Sequence, residues 1–170
     1  MNLVAGAEWI KKANMPTARW GLSAGLVDGQ IYVVGGGNAG MNAFSTVEIY
    51  NPATDVWMKG ASLNTARWAN SGQVVDGKLY VIGGFPGQTA VEMYDPQTNT
   101  WIKKAAMPTG RRFLATATAD GKIYAFGGKE KVPGPSGDTV EAYDPQTDTW
   151  LPKSSMTTAR MEVATATVNG

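Results

Sequence analysis

The chain of 170 residues contains neither cysteine nor histidine. Without cysteine it can form no disulfide and carry out no thiol chemistry, and without histidine it lacks the commonest general base and metal ligand. We therefore predict no catalytic residue, no metal site and no cofactor. The missing cysteines fit a reducing compartment but do not establish one. The compartment stays unknown, with the cytoplasm favoured.

The sequence also lacks an excess of one charge, a long apolar run and a helical pattern. Its formal net charge is +1, with acids and bases interspersed, so nothing indicates a nucleic-acid footprint. No apolar segment approaches the length that spans a membrane, and residues 1–7 are too short and uncharged for a signal peptide. No segment keeps a 3.6-residue apolar period. We expect no nucleic acid, no membrane and no helical fold.

What the chain does contain is one unit repeated along its length. The intervals between successive tryptophans of the unit are 48, 44 and 49 residues, and its arginines keep the same three intervals. A period in the forties is typical of a modular array in which each unit buries its faces against its neighbours. The positions are Trp9, Trp57, Trp101 and Trp150, and Arg19, Arg67, Arg111 and Arg160.

Each unit predicts four antiparallel strands, called a to d. In the second unit a small-residue stretch (69–75) leads through Asp76-Gly77 into a β-branched run that ends at Gly84. A Val-Glu-x-Tyr strand and a Pro-containing turn then precede the tryptophan. Asp-Gly is a strong signal for a two-residue hairpin. Four-stranded units of this length around an axis form a β-propeller, with the small residues of strand a where the innermost strands converge.

These residues resemble the kelch motif. The resemblance rests on the Gly-Gly doublet, the tyrosine of Val-Glu-x-Tyr, the downstream tryptophan and a Met-Pro-Thr-x-Arg lead (Met15–Arg19, Met107–Arg111). It covers essentially the whole chain and implies an all-β, kelch-type propeller segment with three complete blades. We predict one partial domain over 1–170. Its repeats are 13–60, 61–104 and 105–153, with residues 1–12 and 154–170 in incomplete flanking blades.

The predicted array does not close into a ring. Kelch-like propellers usually have six or seven blades, more than this length supplies at this period. The flanking blades would contribute only a d strand near Trp9 and an a strand at 161–168, each without a partner strand. One interpretation is a fragment of a longer kelch chain. The other is association of copies through the open blade edges, which light scattering would detect.

All length variation between the repeats lies in the b–c loops. These loops are 37–46, 85–90 and 129–139, and strand direction places the d–a connections on the same face. Loops that absorb insertions on one face of a repeat protein are where recognition usually occurs. We therefore expect function on this face, called the loop face.

The residue after each repeat arginine begins strand a at the mouth of the channel. It is Trp20, Trp68, Arg112 and then Met161. Trp and Arg are enriched in interface cores, although the tryptophans could equally pack between blades. Arg112 is the stronger surface candidate because it breaks an otherwise apolar series beside another arginine.

The repeat arginines allow two interpretations. Arg19, Arg67 and Arg111 are predicted to lie near Glu48, Glu92 and Glu141, where a bidentate pair in every unit would be a structural latch. The latch is favoured. In kelch-like domains, however, arginines at this position can reach a ligand in the central pocket, which would favour an acidic peptide or a carboxylated sugar. Six recurrent rings are expected to pack between blades and not to form a carbohydrate platform, namely those of Tyr32, Tyr80, Tyr124, Trp57, Trp101 and Trp150.

The sequence thus predicts a non-enzymatic module that recognises a protein, a peptide or another ligand. The alternative is part of a carbohydrate-active protein similar to the bacterial kelch-type sialic acid mutarotases, with the remaining site in other blades. Relatives of the galactose oxidase type need Cys and His at copper, which excludes that activity here. The candidate binding residues are Arg19, Trp20, Asn38, Asn42, Arg67, Trp68, Phe85, Gln88, Arg111, Arg112, Lys129 and Glu130.

Overall fold

A computed structural model describes residues 8–130 and 134–166, and within these ranges the regular structure consists of strands. Twelve strands form three four-stranded sheets in chain order, all of whose pairs are antiparallel. Neither range contains a helix that could cross a membrane. The all-β prediction with three four-stranded blades in an open array is confirmed.

The strands follow the predicted a–b–c–d order in each blade. Blade 1 contains β1 (Trp20–Val27), β2 (Gln30–Gly37), β3 (Val47–Asn51) and β4 (Val56–Lys59). Blade 2 contains β5 (Ser71–Val75), β6 (Lys78–Ile82), β7 (Val91–Asp95) and β8 (Thr100–Lys103). Blade 3 contains β9 (Ala115–Ala119), β10 (Lys122–Phe126), β11 (Val140–Asp144) and β12 (Thr149–Lys153).

Two-residue turns join the first two strands of every blade. Asp76 and Gly77 both have positive φ, 48° and 70°, and Val75 pairs with Lys78 directly across the turn. Two consecutive positive φ values define the hairpin turn whose twist matches that of the flanking strands. The same geometry at 28–29 and 120–121 fixes the register of strands a and b in all three blades.

The apolar core lies between the blades and not inside any one of them. Val34 and Val47 of blade 1 pack with Leu79 and Val81 of blade 2, and all four side chains are 0% exposed. A second cluster joins blades 2 and 3 in the same way. Since each blade covers its neighbour's flank, the blades are stable as an array and not singly.

The repeat tyrosines and tryptophans contribute to these inter-blade contacts. The ring of Tyr32 lies 5.0 Å from that of Tyr94 in the next blade, and Tyr94 packs on Trp101 of its own blade at 5.3 Å. The Trp101 indole N–H also donates to the carbonyl of Ala61 in the connection between blades. Packing between blades is confirmed for Tyr32, Tyr80, Trp101 and Trp150, whereas the ring of Tyr124 stacks on Phe126 of its own strand.

The innermost strands touch directly. The hydroxyls of Ser71 in β5 and Thr116 in β9 are 2.8 Å apart, and a Cβ added to Gly72 would lie 3.1 Å from the side chain of Ser23 in β1. Only small side chains fit at this separation, which explains the composition of strand a.

The two predicted flanking strands are wrong in the described residues. No strand forms at 8–12 or at 161–166, while 167 and 168 lie outside the described residues. A strand requires a ladder of backbone hydrogen bonds with a neighbour, and in the described ranges neither segment forms one. The segment after Arg160 nevertheless follows β9, because Glu162 donates its N–H to Phe113 and the Thr165 hydroxyl donates to Thr116.

The c–d turns contain a recurrent polar contact. The Tyr50 hydroxyl donates to Asp55 at 2.7 Å and the Tyr143 hydroxyl donates to Asp148 at 2.6 Å, whereas Tyr94 meets Asn99 in blade 2. Hydrogen bonds from the Ala13 N–H and from Tyr50 hold the pKa of Asp55 below its ordinary value. For Asp148, burial opposes the shift, but hydrogen bonds from Tyr143 and Ala105 prevail and lower the pKa.

These shifts predict part of the acid sensitivity of the fold. A carboxylate whose folded pKa is depressed stabilises the protein fully above its unfolded pKa of about 3.9, and that contribution is lost as pH falls through the folded pKa. Asp55→Asn with Asp148→Asn should therefore make the decline of the melting temperature below about pH 5 shallower. Asn99 shows that asparagine fits this turn. Equal declines in both proteins would contradict the assignment.

Candidate recognition surface

A buried arginine–glutamate pair occurs in each blade. Guanidinium-to-carboxylate distances are 2.9 Å for Arg19–Glu48, 2.9 Å for Arg67–Glu92 and 2.7 Å for Arg111–Glu141. The three arginine side chains are at most 1% exposed. Burial lowers the pKa of Arg67 to about 10 and the Glu92 charge opposes that shift, so Arg67 remains charged at neutral pH.

The predicted bidentate contact between each arginine and its glutamate is wrong, because a single guanidinium nitrogen donates to the carboxylate. In Arg111, Nη2 donates to Glu141, Nη1 donates to the backbone carbonyls of Gly127 and Thr139, and Nε donates to the carbonyl of Thr109. The second Glu141 oxygen accepts from the Thr109 hydroxyl. The carboxylate is shared between an arginine and a neighbouring donor of the same connection, an arrangement that burial makes costly to disturb.

The pairs of Arg67 and Arg111 each tie two blades together, whereas Arg19 directly precedes β1 and pairs within blade 1. The backbone of Arg67 belongs to blade 1, since its N–H donates to Phe44 and its carbonyl accepts from Gly36. Its side chain enters blade 2, where it binds Glu92 and the carbonyl of Ala90. These pairs, called latches below, support the structural interpretation. In this arrangement the guanidinium groups of the three latch arginines face the protein interior.

A chain of backbone hydrogen bonds crosses the mouth of the channel. Ala69 donates its N–H to Gly21, Phe113 donates to Ala69, and Glu162 donates to Phe113. All four residues have φ between 53° and 62°. The left-handed residue lies two positions after each repeat arginine. It brings the residues that directly follow the arginines together on the loop face.

Four aromatic rings and one guanidinium meet at this mouth. The Trp68 ring lies 4.7 Å from Trp20, 5.7 Å from Phe85 and 5.6 Å from Phe113. The guanidinium carbon of Arg112 lies 5.3 Å from the Trp68 ring and 4.8 Å from the Phe85 ring. Two short backbone bridges, Trp68 to Phe85 and Arg112 to Lys129, hold the residues in place. These five aromatic and arginine residues are called the mouth cluster.

The mouth cluster combines exposed rings with buried donors. Trp20 is 40% and Phe85 is 42% exposed, whereas Trp68 is 4% and Arg112 is 8% exposed. The Trp68 Nε1–H and the Arg112 Nε–H are buried without a hydrogen-bond partner in the described structure. The Nε–H groups of the latch arginines Arg19 and Arg67 are buried without a partner in the same way, so these donors alone do not distinguish a ligand site.

The other predicted residues lie in the b–c loops around the cluster. The Asn38 side-chain oxygen accepts from Gly40 and Asn42, which makes both asparagines part of their own loop. Gln88 donates to the backbone carbonyl of Glu130 at 3.0 Å and thereby joins the loops of blades 2 and 3. Phe113 belongs to the cluster although the sequence did not single it out, because its position in strand a indicated only packing.

Comparison with known proteins identifies the array. The family model for the KLHDC2/KLHL20/DRC7 kelch-repeats domain matches residues 7–170. The chain belongs to the kelch-repeat family. A solved structure entitled "Structure of YjhT" superimposes with a TM-score of 0.77 over 91% of this chain at 22% identity, which shows a shared fold. This kelch segment covers 57% of that chain, and its sequence matches no curated protein.

Proposed function

We propose that the loop face is a non-enzymatic recognition surface for an acidic ligand, with Arg112 at its centre. The observation that carries the proposal is the contrast between Arg112 and the latch arginines. Arg111, one residue earlier, binds a carboxylate within the chain, whereas no described residue accepts a hydrogen bond from the Arg112 guanidinium. Its contacts are with aromatic faces, which hold a cation in place without neutralising it.

An acidic peptide is the first candidate ligand. Arginine and tryptophan dominate the energetics of protein interfaces because they combine a large contact area with a directed polar group. The exposed ring of Phe85 contacts the guanidinium, the exposed ring of Trp20 packs on Trp68, and together they offer such an area. A carboxylate beside Phe85 would pair with the charge of the Arg112 guanidinium.

A carboxylated sugar is the second candidate, within a carbohydrate-active protein. The observation that favours it is the partly exposed ring of Phe85, which lies 4.8 Å from the guanidinium carbon of Arg112. An aromatic face can cover the apolar face of a sugar while the guanidinium holds its carboxylate. A peptide array and a glycan array run on the same protein distinguish the two candidates, because each ligand class appears on only one of them.

The decisive variant is Arg112→Met, because methionine occupies the corresponding repeat position at Met161. It keeps much of the apolar volume and removes the charge. We expect affinity for the ligand found on either array to fall about tenfold or more, in line with the strength of charged hydrogen bonds. The melting temperature should shift little. Unchanged affinity, or a loss of affinity fully explained by unfolding, would contradict the proposal.

A further inference from the structure

Each blade has a short antiparallel contact at the mouth of the channel. The residue after the repeat arginine lies opposite the residue after the Gly-Gly doublet. The three pairs are Trp20–Gly37, Trp68–Phe85 and Arg112–Lys129. In blade 3 the two residues exchange both backbone hydrogen bonds. The Arg112 N–H donates to the Lys129 carbonyl at 3.0 Å, and the Lys129 N–H donates to the Arg112 carbonyl at 2.8 Å.

This pairing places the two side chains on the same side of the backbone. Residues directly opposite each other in an antiparallel pair point to one face, with Cα atoms about 5.5 Å apart in a hydrogen-bonded pair. Blade 2 shows the result, because the rings of Trp68 and Phe85 in the equivalent pair are 5.7 Å apart. Arg112 and Lys129 are therefore neighbouring side chains, and like charges in directly opposite positions are destabilising.

The charges of Arg112 and Lys129 lack an acidic partner in the described ranges, 8–130 and 134–166. These ranges contain all 14 Asp and Glu residues of the chain, and none of these residues forms an ion pair with either cation. Glu130 follows Lys129 in sequence, but it lines a cavity of about 230 Å³ together with Arg111. The uncompensated pair of like charges favours an anion supplied by a ligand.

A phosphate monoester matches this pair better than a carboxylate does. It carries a charge of about −1.5 to −2 at pH 7 and presents three acceptor oxygens, whereas a carboxylate carries a single charge. The planar guanidinium of Arg112 can donate to two of these oxygens while the Lys129 ammonium acts as a point charge beside it. The exposed rings of Trp20 and Phe85 offer apolar surface for the residues that flank a phosphate in a peptide.

We propose that Arg112 and Lys129 together bind the phosphate group of a phosphorylated peptide. The inference rests on the proposed function, since Arg112 is at the centre of both, and it narrows the acidic ligand to a dianion. Lys129 supplies the second positive charge. Its contribution is specific to a dianionic group, because the guanidinium of Arg112 alone balances a single carboxylate.

The test uses three peptide pools with degenerate flanking residues and a fixed central residue, which is phosphoserine, glutamate or serine. Each pool is passed over the immobilised 170-residue chain, and mass spectrometry measures the retained fraction. We expect the phosphoserine pool to be retained about tenfold more than the glutamate pool, the effect of one additional charged hydrogen bond. Lys129→Met should remove this excess and leave retention of the glutamate pool nearly unchanged, whereas Arg112→Met should lower retention of both.

Two further variants separate a ligand-binding role from a structural or a general electrostatic one. Lys103→Met removes an exposed lysine from β8 and should leave the retention of every pool unchanged. Lys129→Glu places an opposite charge beside Arg112, so it should raise the melting temperature while it abolishes retention of the phosphoserine pool. A purely structural role of Lys129 would not couple a gain in stability to a loss of binding.

Equal retention of the phosphoserine and glutamate pools, with both lost in Arg112→Met, would overturn this inference and leave the proposed function intact. An excess of retained phosphoserine peptides that survives Lys129→Met would also overturn it, as would an equal loss in Lys103→Met. Retention of neither acidic pool above the serine pool would overturn both this inference and the peptide candidate of the proposed function.

Discussion

Glu92→Ala should lower the free energy of unfolding by about 3–5 kcal/mol, the usual cost of removing one partner of a buried ion pair. Glu92 is 1% exposed and accepts from Arg67 and from the backbone N–H groups of Asn64 and Thr65. Its loss leaves a buried guanidinium without a counter-charge and two N–H groups without an acceptor. Urea unfolding followed by tryptophan fluorescence measures the change.

The control for this prediction is Glu130→Ala, which removes an exposed carboxylate from a loop. A surface change of this kind should alter the free energy of unfolding by less than about 0.5 kcal/mol. The double variant Arg67→Met, Glu92→Leu removes both charges and should regain much of the lost stability. Similar effects of Glu92→Ala and Glu130→Ala would show that the latches do not hold the blades together.

Gly83→Ala should destabilise the fold by about 3 kcal/mol or more, because two penalties combine at this position. Gly83 has a φ of 64°, and a Cβ there would lie 2.5 Å from the carbonyl oxygen of Arg111. That oxygen cannot easily move, since it accepts from Gly84 at 2.9 Å. The substitution would push apart the two segments that join blades 2 and 3.

Gly77→Ala is the matched control for Gly83→Ala. Gly77 has a φ of 70°, but nothing lies within 4 Å of an added Cβ. It should show only the backbone penalty of about 1–2 kcal/mol for a left-handed residue. The difference between the two alanine variants then measures the close contact between blades. If both variants lose the same stability in urea unfolding, the contact at Gly83 contributes nothing.

The sequence could predict the turns and strands that depend on short segments within each repeat. Turn pairs such as Asp76-Gly77 fix hairpins, β-branched runs such as 79–82 indicate buried strands, and recurrence in every unit aligns them. The latch between Arg67 and Glu92 was also accessible, because strand direction brings both residues to one end of the blade. The sequence could not predict that the Glu92 carboxylate also accepts from the N–H groups of Asn64 and Thr65, since these bonds depend on the backbone path of the connection.

Features that depend on neighbours outside the repeat could not be predicted. The strand assigned to 161–168 followed from its likeness to strand a, but a sequence pattern does not supply the partner that a strand requires. The mouth cluster likewise arises where units differ. Arg112 meets Trp68 and Phe85 of another blade because a left-handed turn at Ala69 and Phe113 brings the blades together there. Alignment of the repeats reveals the features that they have in common, and the contact of Arg112 with Trp68 and Phe85 is not one of them.

The most direct test of recognition at the mouth cluster is an NMR titration that follows the tryptophan indole N–H signals. The probes are a short glutamate-rich peptide and N-acetylneuraminic acid, each compared with its neutral amide. Binding at Arg112 should shift the signals of Trp20 and Trp68 and leave those of Trp57, Trp101 and Trp150 unchanged, because these three indoles donate to backbone carbonyls in the segments that precede the first strand of each blade. Shifts confined to the latter three, or no shift with either acidic probe, would contradict a recognition role for this surface.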